Sequence, residues 1–293
     1  MLRSLTAVAA VACVVGCGRT PVAWFDDGGG GASGRRPGAE GGRDDAGGSS
    51  QTCEAVDFLF VIDDSESMAD NQAKLVANYD AFVGGILATV ERLETVHVGV
   101  VATDAYEHNI GGCRDLGGLV VRTGGANSSR ESCGPYAEGH HYMTEADELD
   151  QTFRCAAQVG TDGSAAEAVL GAAIAALSPP LVEVGACNEG FLRDDALLVL
   201  VIVTDEDAEL DPVYASSQLL ASKDGGLDDI VVVALANPSD GECGLGGSTI
   251  PSFGLETFVS LFRHGFIGPI CAPDYDEVLA EAVEVVEDAC PGR

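Results

Sequence analysis

The chain has 293 residues, with 47 acidic against 15 basic side chains and a net charge of −32. A surface this acidic repels phosphate backbones and anionic headgroups, so it excludes nucleic acid as a partner and attracts cations instead. Past the N-terminal segment, no apolar run is long enough to span a bilayer.

Residues 1–17 read as an export signal, with Arg3 ahead of the apolar stretch Leu5–Gly16. Val14-Val15-Gly16-Cys17 resembles the lipobox of bacterial lipoproteins, in which the cysteine is lipidated and becomes the new N-terminus. Cys13 is a weaker second candidate, and a non-lipidated secretory signal is the alternative. Residues 18–52, rich in Gly, Asp, Arg and Ser, bury too little apolar surface to offset ordering and read as a flexible tether. Such a segment reaches roughly 30–35 Å. Residues 53–293 read as one domain.

Within that domain, Val56–Ile62 predicts a first strand, apolar but for Asp57, as suits a strand covered on both faces. Asn71–Leu93 predicts a helix with Leu75, Val76, Tyr79, Phe82, Val83, Ile86 and Leu87 on one stripe. Val96–Ala102 is a second strand. An irregular insertion over about 104–160 carries three cysteines and His140-His141, with Gly117–Thr123 as an edge strand inside it. Ala165–Leu177 is an Ala-rich helix, Ala196–Val203 and Ile230–Ala236 are buried strands, and Phe266–Ile270 is a short edge strand. Asp276–Ala289 closes the domain as an amphipathic helix. The alternation predicts an α/β fold: a doubly wound, mostly parallel sheet with a long disulfide-bearing loop insertion.

Eight cysteines follow Cys17, an even number in an exported chain, which predicts four disulfides. Zinc is disfavoured because no C-x-x-C pair exists. Cys53 enters the first strand and Cys290 ends the last helix at the same end of the sheet, so these two are expected to pair. Cys243 and Cys271, near the carboxyl ends of late strands, are the second expected pair. The other four offer no physical basis for a choice.

The first strand runs into Asp63-Asp64-Ser65-Glu66-Ser67. One carboxylate and two hydroxyls at alternate positions can meet a hard cation, Mg²⁺, Mn²⁺ or Ca²⁺. Strand-end Asp and Ser also cap helices, which is the competing reading. Two further pieces join the motif: Thr161 before the Ala-rich helix, and Asp205 at the end of strand Ala196–Val203. In this order, Asp-x-Ser-x-Ser, then Thr, then Asp, the chain resembles the von Willebrand factor type A domain with its metal-ion-dependent adhesion site. Met68 after Ser67 matches the usual ending of that motif. The resemblance covers nearly all of residues 54–290 and implies a Rossmann-like fold.

It further implies a divalent cation, Mg²⁺ first and Mn²⁺ or Ca²⁺ as alternatives, at Asp63, Ser65, Ser67, Thr161 and Asp205. A protein partner would donate a carboxylate to the open side of that ion. Asp64, Glu66 and Glu206 depart from the family, which often has Gly there, and bear on metal preference and partner type. A haloacid-dehalogenase phosphatase needs a second Asp where Ser65 stands. A receiver domain needs a Lys after the fifth strand, which here ends Ala236-Asn237-Pro238. The expectation is a non-enzymatic, lipid-anchored binding module at the outer membrane or cell surface, or else periplasmic or secreted. The alternatives are a structural envelope protein with a vestigial site and a secreted Mg²⁺-dependent hydrolase.

Overall fold

A computed structural model of the chain describes residues 53–89, 94–164, 166–223, 226–241, 243 and 250–290. The expected signal with Cys17 and the expected tether 18–52 lie outside them. The strands are β1 (Ala55–Ile62), β2 (Thr95–Ala102), β3 (Met143–Thr144), β4 (Leu197–Val203), β5 (Ile230–Ala236) and β6 (His264–Pro269). They form one sheet in the order β3-β2-β1-β4-β5-β6, parallel except for β3. The helices are α1 (Ala69–Thr89), α2 (Leu149–Ala157), α3 (Val169–Ala176), α4 (Pro212–Ser222), α5 (Phe253–Ser260) and α6 (Asp276–Ala289).

The continuous apolar runs form strands because each has two faces to bury. On one face Phe58, Phe60 and Ile62 of β1 pack with Val199 and Val201 of β4 against α1, α2 and α6. On the other, Leu59 and Val61 pack with Leu198, Leu200 and Ile202 against α3, α4 and α5. Successive residues point to opposite faces, so a run without polar interruption is what a double-sided strand requires. Among the described residues no helix is long and apolar enough to cross a membrane.

Four disulfides staple the domain. Cys53–Cys290 joins the entry of β1 to the end of α6, and Cys243–Cys271 ties the segment after β5 to that after β6. Cys113–Cys187 anchors the insertion to the loop before β4, and Cys133–Cys155 closes the insertion on α2.

The insertion differs from its expected form. Gly117–Thr123 is not a strand apart from a single bridge at Arg122. Buried asparagines take its backbone groups: Asn109 Nδ2 donates to Leu119 O, and Asn109 Oδ1 accepts from Val121 N. Asn188 Oδ1 accepts from Leu119 N, and its Nδ2 donates to Gly117 O. The sheet edge is instead the two-residue β3, and α2 forms where an irregular segment was expected. The Ala-rich helix begins at Val169 rather than Ala165, because Ser164 and Glu167 are drawn to the end of β2. Helix α1 begins two residues before its expected start.

At the end of the sheet remote from the motif, Asp57 is fully buried on β1. Arg193 meets it with Nε and its backbone N–H, both at 2.8 Å, and its remaining N–H groups reach Thr95 Oγ1 and Val56 O. Burial pushes the Asp57 carboxyl up to about 6, against the opposing pull of Arg193.

Candidate metal centre

Strands β1 and β4 are parallel neighbours with Ile62 opposite Val203, so the chain leaves both at one height. Asp63 N donates to Val203 O and Thr204 N to Leu235 O, each at 3.0 Å. The connections depart in opposite directions from β1 and β4, and this reversal makes the crevice between them the natural ligand position of an open α/β sheet.

Asp63 is fully buried and holds the turn out of the strand. Its Oδ1 accepts from Ser65 N at 2.8 Å and its Oδ2 from the Thr204 hydroxyl at 2.5 Å. Its carboxyl is raised chiefly by burial, with the charge of Asp205 adding, while the bonds from Thr204 and Ser65 oppose. Ser65 is extended (φ −67°, ψ 159°) ahead of the 3₁₀ turn Glu66–Met68 and makes no side-chain capping bond. Its hydroxyl lies instead 3.2 Å from that of Ser67, which donates to Asp205 Oδ1 at 3.1 Å. Oxygens at adjacent positions around an octahedral Mg²⁺ stand about 3.0 Å apart, given metal–oxygen bonds of about 2.1 Å. The spacing of Ser65, Ser67 and Asp205 fits such an ion.

The loop bearing Thr161 is drawn to the same place by Gln72 of α1, which is buried. Gln72 Nε2 donates to Asp63 O and to Gly160 O, and its Oε1 accepts from Gly160 N. Gly160 has φ +97°, and an added Cβ would stand 2.7 Å from Ala126 O, so this corner needs glycine. Asp63, Ser65, Ser67 and Asp205 form one hydrogen-bonded chain. The Thr161 hydroxyl stands outside it and accepts from Asn127 Nδ2 at 2.8 Å. Gln72→Leu, which strands three buried backbone groups, is expected to cost about 2–3 kcal/mol in urea denaturation. A loss below about 0.5 kcal/mol would remove Gln72 from this bridging role.

The extra acidic residues separate by position. Glu66 and Glu206 are exposed at the rim, and Glu206 is raised by burial and by Asp205 and Asp63. Asp207 caps α5, accepting from Gly254 N and Leu255 N. Asp162 accepts from Ala126 N. Asp64 is buried against the end of β2: Thr103 Oγ1 lies 3.1 Å from its Oδ1, and burial with the charge of Asp104 pushes it up to about 7. His141 Nδ1 meets Cys187 O at 2.7 Å, and its sulfur neighbours Cys113 and Cys187 are spent in a disulfide. His140 stacks on Tyr142.

Sequence reasoning missed Gln72, Thr103, Asp104, Glu167 and Thr204. A signal existed for two pairs of these and their neighbours: β2 and β4 both run into Thr-Asp, as Thr103-Asp104 and Thr204-Asp205. Each threonine hydroxyl meets one carboxylate of the Asp63-Asp64 pair.

No family model matches the sequence, and no curated protein matches it. Among solved structures, proximal thread matrix protein 1 from the mussel byssus is similar with a TM-score of 0.44 at 14% identity, over 82% of this chain and 49% of that one. A von Willebrand factor type A protein from Catenulispora acidiphila is similar with a TM-score of 0.39 at 14% identity, over 81% and 43%. The chain thus spans under half the length of each.

Proposed function

We propose that the chain is an exported, lipid-anchored binding module of the von Willebrand factor type A kind. It engages a protein partner through a divalent cation, Mg²⁺ first, at Asp63, Ser65, Ser67, Thr161 and Asp205. The observation that carries this reading is the Ser67 hydroxyl, 3.2 Å from that of Ser65 and 3.1 Å from Asp205 Oδ1 where β1 and β4 end.

When bound, the cation supplies an open coordination position that a partner's carboxylate can fill. The chain's own residues prepare that position. Ser65 and Ser67 present neutral oxygens, Asp205 presents a carboxylate, and Asp63 holds the turn while its own oxygens are engaged by Thr204 and Ser65. Ser67 is exposed, so the outward side is open to a partner. Val213 and Tyr214 at the start of α4 and Phe253 at the start of α5 are exposed apolar side chains at the same end of the sheet, suited to the partner's apolar contacts. Four disulfides accord with an oxidising compartment, and lipidation at Cys17 would tether the module to the outer membrane or cell surface. The role is binding, with no nucleophile or general base assigned.

At 100-fold excess over its dissociation constant, Mg²⁺ is expected to stabilise the domain by about 2.7 kcal/mol. That corresponds to about 5–10 °C in a melt compared with chelator. Ser67→Ala is expected to lose this response while keeping the chelated midpoint. Coincident wild-type melts with Mg²⁺ and with chelator would sink the metal-site reading. Capture of an envelope protein by the wild type in Mg²⁺, but by neither Ser67→Ala nor chelated protein, would support adhesion over a vestigial site.

A further inference from the structure

Beside the first site, on the β2 side of β1, three more carboxylates converge. Asp64, Asp104 and Glu167 each bring an oxygen within 4.8 Å of the other two. They come from three segments: the end of β1, the end of β2, and the approach to α3. Donors for them are too few. Asp104 accepts from Ser164 N at 2.6 Å and Ser164 Oγ at 3.4 Å. Thr103 Oγ1 contacts both Asp64 Oδ1 and Glu167 Oε2, yet a hydroxyl carries one proton and satisfies only one of them. Glu167 is 94% buried, at 6% exposure, and its Oε1 is buried with no hydrogen-bond partner among the described residues. A buried carboxylate oxygen without a donor among the described residues, beside two further carboxylates, needs a proton or a cation, and a divalent cation serves all three groups at once.

We propose that Asp64, Asp104 and Glu167, with the Thr103 hydroxyl, form a second divalent-cation site, separate from that of Ser65, Ser67 and Asp205 and suited to Ca²⁺. All the donors are oxygens, so the ion is hard. Three carboxylates exceed the one or two that Mg²⁺ usually takes from protein. Oxygens all within 4.8 Å of one another can reach a single ion with bonds of about 2.3–2.6 Å, the range of Ca²⁺. A cleft of about 320 Å³, lined in part by Asp64, Asp104, Tyr106, His108 and Asp162, gives the ion a path from solvent. Asp64 and Asp63 are adjacent, so Ca²⁺ here would stiffen the turn that carries the first site.

Equilibrium dialysis of the full chain against ⁴⁵Ca²⁺ tests this. Glu167→Gln and Asp104→Asn are each expected to remove one equivalent of bound Ca²⁺ or weaken it at least tenfold. Asp205→Asn is expected to retain that equivalent, which separates this site from the first whatever the first one binds. A Ca²⁺-dependent rise in melting temperature should be present in Asp205→Asn and absent when Glu167→Gln is added to it. Far-UV circular dichroism verifies that each variant is folded, and Asp104, only partly buried, provides the variant least able to disturb the fold. Unchanged Ca²⁺ binding in Asp104→Asn and Glu167→Gln overturns the proposal. Loss of the same equivalent in Asp205→Asn also overturns it, by reducing the two sites to one.

Discussion

Replacing Cys53 and Cys290 together by alanine is expected to lower the unfolding free energy by about 4–5 kcal/mol, close to the upper range for a single disulfide. The bridge spans 237 residues of sequence, essentially the whole described domain. Cutting it frees the denatured chain from one very long closed loop, and the chain-entropy model assigns more than about 4.7 kcal/mol to loops beyond 100 residues. In the folded state it fixes the entry to central strand β1 against the end of α6, and both cysteines are buried. For a domain of this size the midpoint should fall by about 10–20 °C. Breaking Cys133–Cys155, with a separation of 22, should cost less, about 3 kcal/mol. Urea denaturation of the two double variants measures both. A loss below 1 kcal/mol for the long bridge, or a reversed order, would defeat the loop-entropy explanation.

The second large effect belongs to Arg193. Arg193→Met keeps most of the apolar stem but leaves Asp57 buried on the central strand without its paired charge, at an expected cost of about 3–5 kcal/mol at pH 7.5. The sign of the pH dependence follows from Asp57, whose folded-state value near 6 lies above its ordinary 3.8. A raised carboxyl contributes stability at low pH, and that contribution is lost as pH rises through the folded value. Arg193 lowers that value by its charge and its hydrogen bonds, so its removal pushes Asp57 higher still. The deficit of Arg193→Met should therefore be smaller at pH 5, where Asp57 can take a proton, and grow as pH rises past 6. Lys223, whose Nζ donates to the carbonyls of Arg193, Asp194 and Ala196, holds the same loop and remains in place. Denaturation at pH 5 and 7.5 reads the difference. A deficit that is constant across this range would show that Arg193 matters for packing rather than for the buried charge.

The parallel strands were legible in the sequence because a strand covered on both faces needs a near-continuous apolar run; β4 and β5 have an unbroken one, and β1 is interrupted only by Asp57. Helix α6 was legible to the residue because Leu279, Ala282, Val283 and Val286 repeat at helical spacing against a polar face. Helix α2 was not, because its nine residues include Asp, Gln, Thr and Arg, and Phe153 is their one large buried side chain. Strand β3 is two residues long, too short for any alternation to register. Gly117–Thr123 reads as a strand by composition, yet Asn109 and Asn188, far from it in any pattern, bind the backbone groups that a neighbouring strand would have used.

The Asp-x-Ser-x-Ser motif with Asp205 was visible because its spacing is local and each part follows a readable strand. The sequence by itself determined the parallel α/β sheet, the oxygen-only chemistry after β1 and the even set of cysteines, since all three rest on local periodicity or residue type. Tertiary structure alone decided which carboxylates meet. Asp63 and Asp64 are neighbours in sequence, but Asp63 meets Thr204 at the end of β4 and Asp64 meets Thr103 at the end of β2. Consecutive residues at a strand end point different ways, and β1 lies between those two strands, so one acidic pair is divided between two side-chain clusters.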